Sequence, residues 1–250
     1  MSRRKWSWII LTAVLVFWLA PLPLQAALPP RVVWEYSSPG QFVGFLSFTS
    51  QGTLLVTENG PREPKVRELS RKGEVLWEFG PVQANSAVAL ANGHVLIADS
   101  GAPGYPFKPR LVEVDRQGQV RWSYEFDHRG HSPRLAVPVA GERYLVVLPD
   151  RVVEMDRKGK VYWQYEGLLY PVWAERLPGG NTLIVDRGFS GGLVLEVDPA
   201  GRVVWRYGDY GAPGQPALLS RPGWATRLPD GSTLVVPQGR GSLLRIAGAE

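Results

Sequence analysis

One short phrase, valine–any–tryptophan–any–aromatic, recurs five times and limits the possible folds of this chain more than any other feature. The copies are Val32-Val33-Trp34-Glu35-Tyr36, Val75-Leu76-Trp77-Glu78-Phe79, Val120-Arg121-Trp122-Ser123-Tyr124, Val161-Tyr162-Trp163-Gln164-Tyr165 and Val203-Val204-Trp205-Arg206-Tyr207. Their tryptophans fall 43, 45, 41 and 42 residues apart. The first, third and fifth positions of each copy are apolar, the period-2 alternation of a half-buried strand. A self-similar period of about 40–45 residues built from short strands is that of a propeller blade.

A second strand precedes the last four copies, as in Leu111-Val112-Glu113-Val114-Asp115, Val152-Val153-Glu154-Met155-Asp156 and Val194-Leu195-Glu196-Val197-Asp198. The connecting turns run Asp115-Arg116-Gln117-Gly118, Asp156-Arg157-Lys158-Gly159 and Asp198-Pro199-Ala200-Gly201. Asp at the first position hydrogen-bonds its own backbone, and Gly at the last accepts a left-handed conformation. These aspartates are therefore turn residues and not ligands. A further hairpin lies upstream in each repeat, clearest in Arg176-Leu177-Pro178-Gly179-Gly180-Asn181-Thr182-Leu183-Ile184-Val185-Asp186. Each repeat thus supplies four antiparallel strands.

The last repeat, Trp224 to Ile246, holds three strands, and the first copy of the phrase stands without preceding partners. The expected fold is an all-β, five-bladed β-propeller of four-stranded antiparallel blades. Its N-terminal strand, Arg31–Tyr36, closes the last blade and removes two open sheet edges. A monomer is expected, with exchange of that strand between two chains as the alternative. The recurrent tryptophans are expected to pack between blades.

Residues 1–26 read as a signal peptide or N-terminal anchor, leaving 27–250 as a single propeller domain. Ser2-Arg3-Arg4-Lys5 is basic, Trp6 to Ala20 is apolar, and Pro21 to Ala26 offers small residues for cleavage. The expected location is secreted, periplasmic or otherwise extracytoplasmic, with membrane contact only through residues 6–20 if they are retained. Without this segment's three basic residues the formal charge falls from +5 to +2, which argues against a nucleic-acid partner. The absence of cysteine excludes disulfides, thiolate metal sites and a cysteine nucleophile.

The phrase from Leu177 to Ile184 followed by Glu196 to Tyr207 resembles repeats of the pyrroloquinoline-quinone-like and arylsulfotransferase-like bacterial β-propellers. Scaffold propellers of the outer-membrane assembly machinery are similar in repeat type and are non-enzymatic. The resemblance covers nearly all of the chain beyond the signal and implies blades and turns. Arylsulfotransferases of this kind work through histidines near the start of the innermost strand. The matching positions here are read as Gly44, Ser86, Leu135, Trp173 and Trp224, none of them His.

Candidate site residues gather where second strands end, at Glu58, Asp99, Asp186, Arg187 and Gln238, tips that a propeller brings around one rim of its channel. Trp173 and Trp224 join them, and two long loops add Tyr105, Phe107 and Tyr210. Carboxylates beside aromatic faces suit a small molecule, a glycan or a protein partner. The leading expectation is a non-enzymatic binding or scaffold propeller without cofactor or metal. The alternative is an arylsulfotransferase-like or lyase-type enzyme using His128 or His131 with Asp127. No phosphate loop, nucleophile elbow or zinc spacing is present.

Overall fold

A computed structural model describes residues 34–38, 41–101, 108–127, 131–189, 191–211, 217–238 and 241–247. The expected leader, residues 1–26, lies outside them, and so do Arg31 to Val33 of the N-terminal strand. The chain is a five-bladed β-propeller. Blade one comprises β1 (Phe42–Phe48), β2 (Leu54–Asn59), β3 (Lys65–Leu69) and β4 (Val75–Phe79). Blade two comprises β5 (Ala84–Ala89), β6 (Val95–Asp99), β7 (Arg110–Val114) and β8 (Val120–Glu125). Blade three follows with β9 (Leu135–Val139), β10 (Arg143–Val147), β11 (Arg151–Asp156) and β12 (Val161–Glu166). Blade four holds β13 (Pro171–Arg176), β14 (Thr182–Asp186), β15 (Gly192–Val197) and β16 (Val203–Asp209). Blade five has β17 (Pro222–Arg227), β18 (Thr233–Pro237) and β19 (Leu244–Ile246). Every sheet is an antiparallel meander in chain order.

The turns behave as their chemistry requires. Asp115 Oδ1 accepts from the Gln117 and Gln119 amides at 2.9 and 2.8 Å, and Gly118 sits at φ 77°. Asp156 with Gly159 and Asp198 with Gly201 repeat the arrangement.

The core lies between blades. Four apolar clusters fill the seams from one to two, two to three, three to four and four to five. The glutamate nine residues before each strand-four tryptophan is its cross-strand partner: Glu68 with Trp77, Glu113 with Trp122, Glu154 with Trp163, Glu196 with Trp205. An arginine from the next blade completes each set by pairing the glutamate and covering the indole. Arg116 joins Glu68 and lies 5.7 Å from the Trp77 ring centroid. Arg157 joins Glu113 at 2.6 Å and lies 4.9 Å from Trp122. Arg176 joins Glu154, and Arg227 joins Glu196, over Trp163 and Trp205 at 5.0 and 4.9 Å. The tryptophans do pack between blades, as expected.

The seam from blade five to blade one is built differently. The register places Arg245 where the other blades carry the glutamate, and Arg245 pairs with Asp230 of its own blade. The N-terminal segment occupies the closing position through its side chains: Trp34 Nε1 donates to the Arg71 carbonyl at 2.9 Å, as Trp122 Nε1 donates to Arg157 at 3.0 Å. Tyr36 donates to Glu58 and accepts from Arg67 Nη1 at 2.6 Å. Trp34–Tyr36 itself is extended without an assigned ladder to β19, whose described sheet has three strands. At the position where the other inner strands bury Ala87, Ala136, Ala174 and Ala225, β1 carries Leu46, which is 51% exposed.

Candidate functional site

The inner strands surround the channel, and most begin with a bulge that turns one side chain into it. The bulge between Val43 and Leu46 absorbs a residue that the repeat comparison did not count. The residue matching Ser86, Leu135, Trp173 and Trp224 is therefore Phe45, and Gly44 instead matches Asn85, Arg134, Val172 and Gly223. The three aromatics of the corrected ring meet inside the channel: Phe45 and Trp173 stack with centroids 6.4 Å apart, and Trp173 and Trp224 lie 6.1 Å apart.

The mouth is a concavity of about 490 Å³ lined by Gly44, Asn85, Ser132, Arg134, Pro149, Tyr170, Val172 and Arg187. Gly44 is small for a reason, since a Cβ there would stand 3.1 Å from Asn59 Nδ2. Proline holds much of the wall. Asn85 Nδ2 donates to the Pro133 carbonyl at 2.8 Å, and Arg134 Nη1 donates to Pro171 at 2.8 Å and to Pro149 at 3.4 Å. Tyr170 carries two guanidiniums, with Arg134 Cζ at 3.5 Å and Arg187 Cζ at 4.4 Å from its centroid. Arg187 Nη1 donates to Gln238 Oε1 at 3.1 Å, so the strand tips of blades four and five are joined across the rim. Burial, together with the neighbouring Arg187 charge, pulls the Arg134 pKa down.

The carboxylates expected on this rim face inward and have partners. Asp186 is fully buried and accepts from the Leu169 and Tyr170 amides at 2.8 and 2.6 Å and from the Tyr210 hydroxyl at 2.5 Å. It therefore sets the backbone that presents Tyr170. Burial and the Asp186 carboxylate push the Tyr210 phenol up. Asp99 accepts from the Gly101 amide at 2.9 Å and Arg110 Nε at 3.0 Å, and burial still pushes its carboxyl above the usual range. Glu58 accepts from Tyr36, from Ser38 Oγ at 2.7 Å and from Arg67 at 3.1 Å. Among the expected residues that are described, Arg187 alone lines the mouth directly. Tyr105, Phe107 and His128 lie outside the described residues.

His131 does not line the mouth but a separate cleft of about 150 Å³ between blades two and three, with Asp127 and Arg151. Its Nε2 is 3.3 Å from Arg151 Nη2. His94 belongs to a turn on the opposite face, with Nδ1 2.6 Å from Glu113. Among the described residues no three His, Asp or Glu side chains gather as a metal site, and no helix is long and apolar enough to cross a membrane. Arg134 and Tyr170 were missed from sequence because both lie in connections between blades, where the repeat gives no guide.

The decisive comparison is with a family model, that of the outer membrane protein assembly factor BamB, which matches residues 62–221. The chain belongs to that family. No curated protein sequence matches the chain significantly. Among solved structures, a Bacteroides caccae protein of unknown function is 20% identical at a TM-score of 0.65, covering 86% of this chain and 81% of that one. Virginiamycin B lyase from Staphylococcus aureus is 14% identical at 0.64, with 86% and 70% covered. The extracellular domain of a hybrid two-component system from B. thetaiotaomicron is 14% identical at 0.52, with 84% and 29% covered. At these identities the likeness shows the propeller fold alone. The BamB-family match bears out the pyrroloquinoline-quinone-like reading of the repeat.

Proposed function

We propose that this BamB-family propeller is a non-enzymatic binding or scaffold protein of the cell envelope, taking a ligand or a partner group at the channel mouth. The observation that carries the reading is the mouth itself, where groups from several blades converge on a concavity of ligand size. Asp186, Gln238 and three prolines hold these groups in place. Pre-positioning of this kind reduces the ordering penalty of binding. The basic-then-apolar start of the sequence and the family's own description support the envelope location. His131 stands outside this concavity, which weighs against the lyase-type alternative.

A thermal-shift screen of the purified chain against sugars, quinones, peptides and organic acids tests the reading. At least one class is expected to stabilise the chain and to lose its effect in Tyr170→Ala. Stabilisation that persists in that variant would place the site elsewhere. Turnover of an aryl sulfate lost in His131→Ala would favour the enzyme.

A further inference from the structure

Two guanidiniums share one ring at the mouth, and neither meets a carboxylate among the described residues. Arg134 gives Nη1 to two proline carbonyls, and Arg187 gives Nη1 to Gln238. No described group engages Nε or Nη2 of either residue, the edge that accepts a carboxylate or phosphate in a two-point grip. Both residues line the same concavity and approach the same phenol ring, which keeps them within the span of one small ligand. The carboxylates whose fields reach Arg134 are engaged elsewhere. Asp186 takes two amides and Tyr210, and Asp150 lies 3.7 Å from Arg151.

The seams show that this is not the chain's habit. Arg116, Arg157, Arg176 and Arg227 also cover aromatic rings, and each has a glutamate. Two like charges held together over a ring without a counter-ion oppose folding, and that opposition is relieved when an anion arrives. Ser132 and Asn85 add neutral polar groups to the same wall.

We propose that the mouth binds a small polyvalent oxyanion, a di- or tricarboxylate or a phosphate, clamped between Arg134 and Arg187. The assignment rests on the mouth being the binding site and names the chemistry it takes. The test is calorimetry and thermal shift of the whole chain with citrate, inorganic phosphate and acetate at matched ionic strength. Citrate or phosphate is expected to bind and raise Tm, acetate to do neither, and the tighter of the two polyvalent probes identifies the ligand class. Arg187→Gln should weaken binding about tenfold or more through loss of the charged fork, while Arg202→Gln on the opposite face leaves it unchanged. Arg134→Lys, which keeps the charge but not the fork, serves if Arg134→Gln does not fold, and it too should weaken binding. Equal response to acetate and citrate, or undiminished binding in Arg187→Gln, overturns the proposal. Should a neutral compound bind through Tyr170 while both polyvalent anions fail, the oxyanion assignment falls and the mouth remains the site. Should citrate bind undiminished in Arg187→Gln and Tyr170→Ala alike, both readings fall.

Discussion

Arg157 and Arg187 each lay a guanidinium over an aromatic ring, 4.9 Å from Trp122 and 4.4 Å from Tyr170. Arg157 also meets Glu113, a carboxylate only 2% exposed, and its charge is answered within the seam. Arg187 meets the neutral Gln238 and stands beside a second cation. The same stacking therefore serves two ends. At the seam it joins neighbouring blades through a pair that is neutral overall, whereas at the mouth it leaves charge available to something outside the chain. The closing seam falls between them, because Arg245 replaces the glutamate and turns to Asp230.

The largest effect expected from this contrast is at the tryptophans. Trp122→Ala removes an indole flanked by Arg157, Tyr144 and the seam core, and should lower unfolding free energy by about 3–5 kcal/mol. Trp34→Ala, at a seam where Arg245 stands in place of the glutamate, should lower it by only about 1–2 kcal/mol, an ordinary single-site effect. Equal losses in denaturant titrations would erase the distinction between the closing seam and the others. Steric probes follow in size. Ala174→Leu should overpack a filled interface and cost about 1–3 kcal/mol. Leu46→Ala, at the equivalent but half-exposed place, should cost less than about 1 kcal/mol. A reversed order would mean that the fifth seam is as tight as the rest.

The seam carboxylates also respond to acid. Burial alone would raise the Glu113 pKa, but His94, Asn92 and Arg157 outweigh it and hold the carboxyl below its usual range. A depressed carboxylate contributes stability that is complete above its unfolded pKa of about 4.3 and is lost as pH falls through the lower folded value. Denaturation between neutral pH and pH 3 should therefore show a smaller acid loss in Glu113→Gln than in the parent chain. Identical slopes would mean that Glu113 carries no share of the acid loss.

Much of the fold was legible because blades are encoded locally. Asp115 and Gly118 specify their turn within four residues, and Trp122 marks its strand by alternation. The seams were legible only in part. The nine-residue interval from glutamate to tryptophan is visible in the chain, but the arginine completing it comes from a turn in Arg116 and Arg157 and from an inner strand in Arg176 and Arg227. No single spacing could reveal such a partner. The mouth was hidden for a related reason. The alternation of strands tells which residues end a strand, yet the direction in which Asp186 and Asp99 point depends on which amides and hydroxyls the neighbouring loops bring to them. Arg134 and Tyr170 reach the site from connections whose paths no repeat dictates. In blade one, a single uncounted bulge residue moved the channel position from Gly44 to Phe45.

The most direct test compares Arg157→Gln with Arg187→Gln by denaturant unfolding at low salt. Removing Arg157 takes the arginine partner from buried Glu113, leaving it Asn92 and His94, and should cost about 2 kcal/mol, less than breaking a fully buried pair because Arg157 is partly exposed. Removing Arg187 relieves Arg134 of a like charge and should leave stability unchanged or raise it by up to about 1 kcal/mol. Comparable destabilisation by both would contradict the division between arginines whose charge a seam glutamate answers and arginines held for a ligand.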